Sequence, residues 1–416
     1  MQARRPNLFR RVLIGLAVAA GPLIVVVALL LSGDESEPAA PVPPPVHAGA
    51  VDRTTVYHSP QTPGYTAWVG AWLMPDDSMM TGFVQATGPV DPAQRPRTPA
   101  AVSKLFDTGV PTDPNRDYWG LELSSRFLRS RDDGQHWTPD RTERFRAIVP
   151  YGYTSQANMA LKDGTIIRRI NGDDLRQDEA IPHTAFLQRL APGAKRWSKP
   201  QVLLDPRKQT YQLTRIKYLR DGRLVATGNV WNVPADTPLR ERARLPSKFL
   251  LMVSDDEGRT WRNGLEIPAA VGELQGGEWD TGELPNGDLA AVLRVKENQE
   301  DARKQALLRK KDGGWVMTAL KPAPMPHSGH PDLLATREGP VLDIATTGAS
   351  YTRDGLLWEP LRFAGQKRRY QSAYYPRSLQ TRDGVVHVFG HRGFDNPYGN
   401  PDQAIVMDSF RLASGR

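Results

Sequence analysis

A tyrosine and a glutamate at matching places in two repeats are the residues of this chain best suited to covalent chemistry. Six short turn sequences can be aligned on one another: Asp76-Asp77-Ser78, Asp163-Gly164, Asp221-Gly222, Asn286-Gly287, Glu338-Gly339 and Asp383-Gly384. Eight residues before the aligned turn residue, with Asp77 representing the first repeat, lie Val69, Ser155, Leu213, Glu278, His330 and Tyr375. Eight residues after it lie Gln85, Asn171, Asn229, Arg294, Thr346 and His391, all polar. In antiparallel hairpins both sets fall at the same end of the strands. Hairpins arranged radially would therefore surround one mouth with polar groups, a common place for a binding site; a solvated loop end would be polar as well. A phenol, with a pKa near ~10, is a poor nucleophile until an adjacent carboxylate accepts its proton. Asn229, His330 and His391, with Arg377 two residues past Tyr375, are the candidate contacts for a bound molecule.

The elements that must hold these residues are strands. Each turn is followed by an apolar stretch such as Thr165-Ile166-Ile167, Leu224-Val225-Ala226 or Val385-Val386-His387-Val388, and helical periodicity is scarce. A tryptophan recurs after the next hairpin, at Trp137, Trp197, Trp261, Trp315 and Trp358. Six such units predict an all-β fold of six four-stranded blades around a channel, spanning 53–416. Residues 86–128 form the longest insertion, expected as a loop over one face. Thr54–Ser59 and Ala404–Leu412 both read as strands whose pairing would close the ring and remove exposed edges.

Two further turns share the pattern S-x-D-x-G-x-x-W: Ser130-Arg131-Asp132-Asp133-Gly134-Gln135-His136-Trp137 and Ser254-Asp255-Asp256-Glu257-Gly258-Arg259-Thr260-Trp261. The Asp can accept backbone N–H bonds, the Gly can take a positive φ, and the Trp can cover the turn. Tyr351–Trp358 keeps the Gly and Trp alone, and Lys310–Trp315 is further decayed. The two full copies resemble the Asp-box of the sialidase (neuraminidase), or BNR-repeat, superfamily of β-propellers, where the box is a hairpin staple away from the active centre.

The resemblance extends to site residues. Sialidases carry a Glu eight residues before the D-G turn of one blade, an Arg eight after it, and a Tyr eight before the turn of the last blade. Glu278-Trp279-Asp280-Thr281-Gly282, running on to Arg294, and Tyr374-Tyr375-Pro376-Arg377 match that pattern. The resemblance implies Tyr375 as nucleophile, Glu278 as its base and Arg294 as a ligand for a substrate carboxylate. It also implies an acid in the loop before the first box, where Asp107, Asp113 and Asp117 lie, with Asp117 the candidate. The chain departs from the family at two places. Thr66-Ala67-Trp68-Val69 stands where a first arginine is expected, and Thr346-Thr347-Gly348-Ala349 where a third is expected. One arginine cannot form a three-arginine clamp. The expectation is a glycoside hydrolase of altered specificity acting on glycans. The rival is a non-catalytic propeller that binds carbohydrate or an envelope protein.

Composition bounds the rest. The chain has 416 residues and no cysteine, which excludes disulfides and thiolate metal sites. His327 and His330 are spaced like possible metal ligands, but the flanking Pro326 and Pro331 argue against a helix, and neither a metal nor another cofactor is expected. Arg4, Arg5, Arg10 and Arg11 account for half of the net charge of +8, so the remaining excess does not suggest nucleic acid. Val12–Leu31 is an apolar run long enough to cross a bilayer. With the arginines before it, residues 1–11 read as cytoplasmic, 12–32 as an anchor and 33–52 as a Pro-rich linker, placing the propeller on the extracytoplasmic side of the inner membrane. The competing reading is a cleaved signal peptide, for which the apolar run is long and the nearest A-x-A-like triplet, Ala48-Gly49-Ala50, lies far downstream.

Overall fold

The computed structural model describes residues 44–91, 120–144, 158–171, 184–237, 239–242, 244–269, 274–297, 300–326, 329–392 and 403–414. The anchor at 12–32 and the acid candidates Asp107, Asp113 and Asp117 lie outside these residues. No helix among the described residues is long and apolar enough to cross a membrane.

The described chain is a six-bladed β-propeller, all-β apart from one helical turn at Leu239–Arg242. Blade 1 is built from Gly64–Leu73, Met79–Thr87, Glu122–Ser130 and Thr138–Arg144. Blade 2 has three strands, Met159–Ala160, Ile166–Asn171 and Ala185–Leu190, extended by a bridge from Leu187 to Gln201. Blade 3 is Thr210–Tyr218, Leu224–Trp231, Ser247–Ser254 and Arg262–Ala269. Blade 4 is Leu274–Glu283, Leu289–Glu297, Glu300–Lys311 and Gly314–Pro322. Blade 5 is Asp332–Ala335, Val341–Ala345, Gly348–Thr352 and Glu359–Pro360. Blade 6 combines Tyr374–Gln380, Val385–Arg392 and Ala404–Ser414 with Asp52–His58 from the start of the propeller. Pairing of Thr54 with Met407 closes the ring as expected. Val46–Ala48, within the stretch read as linker, pairs with the far end of the same strand, and Arg362–Phe363 lies beyond it.

Burial explains why the second strand of each blade reads as a continuous apolar run. All eight residues of Leu224–Trp231 are buried, because neighbouring blades cover both faces, whereas Thr138–Arg144 on a rim alternates between exposed and half-buried. Each large core cluster spans two adjacent blades, and the recurrent tryptophans join them. Trp137 of blade 1 meets Phe389 of blade 6 edge-to-face at 5.7 Å. Trp197 packs on Trp72, Met80 and Phe127 of blade 1, and Trp261 on Met159, Leu161 and Ile167 of blade 2. Arg223 of blade 3 lies over the Trp315 ring, and Trp358 donates its indole N–H to Gln305 of blade 4. The sequence marker is therefore an inter-blade staple.

In both S-x-D-x-G-x-x-W turns the serine Oγ accepts the glycine N–H, at 2.8 Å in one and 2.7 Å in the other, and the indole N–H donates to the glycine carbonyl. Asp132 and Asp256 accept the backbone N–H of His136 and Thr260. The His136 N–H chiefly holds the Asp132 carboxyl down to a pKa of about 2, and the Thr260 hydroxyl, followed by its N–H, does the same for Asp256. A third turn of this kind was hidden by a deletion. Thr352 Oγ1 accepts from Gly355 N–H, and Asp354 accepts from Leu356 and Leu357, so blade 5 keeps the hydroxyl and the carboxylate as well as the Gly and Trp.

The turn alignment needs one correction. Met74 and Leu161 each donate to the carbonyl that closes the turn, of Ser78 and Thr165. Asp77 has φ 65° and so occupies the place of Gly164, at φ 84°. Asp76, rather than Asp77, is the equivalent of Asp163. The true blade-1 equivalents of Tyr375 and His391 are thus Trp68 and Val84, not Val69 and Gln85, and the second set is not polar throughout.

Candidate active site

Tyr375 stands at the start of the inner strand of blade 6, at an irregularity between Tyr374 and Arg377 where the pairing slips. Such bulges re-aim side chains. Its φ of 51° is a costly conformation for a bulky residue, of the order of ~1–3 kcal/mol, and is held by the surrounding packing. The Tyr374, Trp68, His330 and His391 rings surround it, at centroid distances of 4.8, 4.6, 6.2 and 6.2 Å. Tyr375 is itself buried.

The hydroxyl of Tyr375 donates to Glu278 Oε1 at 2.9 Å, across 97 residues of sequence. Arg294 Nη1 donates to Glu278 Oε2 at 2.6 Å and lies 3.4 Å from the tyrosine hydroxyl. Asp301 lies 3.5 Å from the other guanidinium nitrogen. The Glu278 and Arg294 side chains retain 16% and 15% exposure, so solvent or a ligand can reach the pair. Burial opposes the charge of Arg294, but Glu278 outweighs it and raises the arginine pKa. The arrangement can draw the proton from the phenol toward Glu278 while the Arg294 charge favours the phenolate.

Two residues further along the inner strands of blades 3 to 6 comes a buried charged layer of Arg215, Asp280, Asp332 and Arg377. Arg215 lies 3.5 Å from each of Asp280 and Asp332, and the carbonyl of Pro331 accepts from both Arg215 and the His330 imidazole. Asp332 also accepts from the backbone and hydroxyl of Ser378. Lys217 donates to Asp280 at 2.6 Å. Arg303 donates to Asp343 at 2.7 Å, both fully buried. Burial raises the pKa of Asp332, with Arg215 and Arg377 opposing, and burial with Arg215 lowers that of Arg377. A channel cavity of about 350 Å³ runs beside this layer and is lined by inner strands of all six blades.

The structure thus brings Tyr375, Glu278 and Arg294 together. The other candidates, Arg377, His330, Asn229 and His391, are all buried. Arg377 belongs to the charged layer and donates to the Pro376 carbonyl. Neither the Asn229 amide nor the His391 ring finds a hydrogen-bond partner among the described residues. Burial holds His391 neutral, with its pKa lowered to about 3, and burial with Arg215 and Arg377 keeps His330 well below the usual range. Among the described residues no group of three or more metal-ligating side chains is placed to hold an ion. Sequence reasoning missed Trp68, which the corrected turn register yields. It also missed Arg215, Asp280 and Asp332, each six residues before its turn, where Arg377 also stands.

No family model matches the chain, and no curated protein matches it in sequence. Solved structures do resemble it. A protein of unknown function from Dyadobacter fermentans is 20% identical with a TM-score of 0.57, covering 88% of this chain and all of the other. The Hadza microbial sialidase Hz136 is 16% identical with a TM-score of 0.50, covering 84% of this chain and 65% of the other. An α-L-arabinofuranosidase from Fusarium graminearum is 12% identical with a TM-score of 0.53, covering 87% and 96%. At these identities the likeness is one of architecture, and it agrees with the blade count and ring closure: the chain has a sialidase-like six-bladed β-propeller fold.

Proposed function

We propose that this protein is a glycoside hydrolase that uses Tyr375 as nucleophile. The observation that carries the reading is the 2.9 Å hydrogen bond from the Tyr375 hydroxyl to Glu278, with Arg294 on the same carboxylate. In the first step the phenol oxygen bonds to the anomeric carbon as its proton passes to Glu278. The glycosidic C–O bond breaks, and the departing oxygen takes a proton from an acid. Water then attacks the anomeric carbon and gives a proton to the conjugate base of the acid, while the bond from that carbon to the tyrosine oxygen breaks and Glu278 returns its proton to the phenolate. Asp117 remains the proposed acid, on the strength of its place in the sequence ahead of the first S-x-D-x-G-x-x-W turn. That two solved structures of similar architecture are named as glycosidases supports a glycan as the substrate class. The apolar run at 12–32, preceded by four arginines, supports a membrane-tethered enzyme facing away from the cytoplasm.

Replacing Tyr375 by Phe tests the reading. Turnover of a cleaved glycoside should fall about 10³-fold while its binding persists, since only the hydroxyl is lost. A Tyr375→Phe protein that retains turnover would refute the nucleophile. A wild-type protein that binds sugars and cleaves none would favour the binding-module alternative.

A further inference from the structure

Trp68 occupies in blade 1 the place that Glu278 holds in blade 4 and Tyr375 in blade 6. Three features set it apart from an ordinary strand tryptophan. Its φ is 57°, so it shares with Tyr375 a backbone conformation rarely adopted by bulky residues. It lies at a slip in strand pairing between Ala67 and Gly70, as Tyr375 does between Tyr374 and Arg377. Part of its ring rests on the Tyr65, Val84, Ala86, Leu121 and Leu123 cluster and part meets Tyr375 at 71°, yet the side chain remains partly exposed. An aromatic held at this cost against the Tyr375 ring, with part of its surface exposed, is placed to meet a molecule that reaches that tyrosine.

The charges around it point the same way. Arg294 already holds Glu278 through one terminal nitrogen, and Asp301 lies 3.5 Å from another, so this guanidinium is engaged by carboxylates of the chain itself. Arg215, Arg303 and Arg377 are buried; the first two pair with Asp280, Asp332 and Asp343, and Asp332 and Asp280 also act on the charge of Arg377. A substrate carboxylate would have to displace those partners, leaving a buried acid uncompensated. A sugar ring without a charge meets no such penalty, and its C–H face can pack on an indole.

We infer that Trp68 is a stacking wall that selects uncharged sugar rings over sialic and uronic acids at the Tyr375 hydroxyl. This inference rests on the glycan-acting reading and narrows it to a neutral substrate class.

The test is calorimetric binding to the full-length protein carrying Tyr375→Phe, which allows affinity to be read without turnover. The probes are methyl glycosides of neutral pentoses and hexoses, of glucuronic acid and of N-acetylneuraminic acid. At least one neutral glycoside should bind about tenfold or more tightly than either acid. Trp68→Ala should weaken that neutral binding about tenfold, and Trp68→Phe, which keeps an aromatic face, by less than about threefold. Tighter binding of an acidic sugar, or unchanged neutral affinity in a folded Trp68→Ala protein, overturns the inference and leaves the hydrolase reading standing. If none of the sugars binds, both fall together.

Discussion

The two ends of the propeller blades solve opposite problems with the same strands. At the turn end, short hydrogen bonds close locally: Ser254 to Gly258, Asp256 to Thr260, and Trp261 back to Gly258 all join residues three or four apart. At the other end, Tyr375 and Glu278 meet across 97 residues, two aromatic residues sit at positive φ, and the buried side chains of Asn229 and His391 find no hydrogen-bond partner among the described residues. One end minimises conflict and holds blades together. The other keeps strain and desolvated polar groups that the staples must counterbalance. On this account the staples lie at the turn end and the proposed chemistry at the mouth, eight strand residues, or roughly 25 Å, away.

Acid should break this division most strongly. His330 and His391 at the mouth, and His387 lower in blade 6, are buried and neutral, with the pKa of His387 lowered to about 4 and that of His391 to about 3. In the unfolded chain each imidazole titrates near ~6.5. Between these values the unfolded state binds more protons, so the stability present above pH 6.5 is lost as pH falls toward the folded values. At pH 5 the loss should be roughly 2 kcal/mol for each of His387 and His391, and His330 adds to it in the same direction. Urea midpoints at pH 7 and pH 5 measure it, and an unchanged midpoint would show that the imidazoles are solvated.

Cutting a staple should have the next largest effect. Trp137 and Trp261 are half-buried, so Trp137→Ala or Trp261→Ala should cost about 2–3 kcal/mol, less than the ~3–5 kcal/mol of a fully buried ring. Thermal melts should show the loss, while sugar affinity should stay at the wild-type value at temperatures where the variant is folded. Selective loss of affinity with an unchanged melting temperature would tie the turn end to the site. Smaller still, Asp256→Asn removes charge from a carboxylate that accepts from Thr260 and Ser254. It should shift stability by no more than about 1 kcal/mol and leave affinity unchanged. An Asp256→Asn protein with wild-type melting but weakened sugar binding would contradict the division.

The same contrast governs what could be read from the sequence. Turns and staples were legible because their physics is local: a Ser, an Asp, a Gly and a Trp at fixed offsets suffice. Even there, one residue missing between Asp354 and Gly355 hid the third copy. The ring closure was legible from two unpaired strand patterns, at Thr54–Ser59 and Ala404–Leu412. The site was legible only where an offset could be counted from a turn, as for Glu278, Arg294 and Tyr375. Choosing Asp77 in place of Asp76 moved the count by one residue and substituted Val69 for Trp68, since a slip of one turns a strand residue to the opposite face. The charged layer of Arg215, Asp280, Asp332 and Arg377 escaped because its meaning arises only when four blades converge on the channel.

The most direct measurement of the central claim is covalent trapping. The full-length protein would be incubated with activated 2-deoxy-2-fluoro glycosyl fluorides of neutral sugars, and the labelled peptide located by mass spectrometry. The account predicts an adduct on Tyr375, absent from the Tyr375→Phe protein. An adduct on a carboxylate such as Glu278 or Asp301, persisting in Tyr375→Phe, would contradict it.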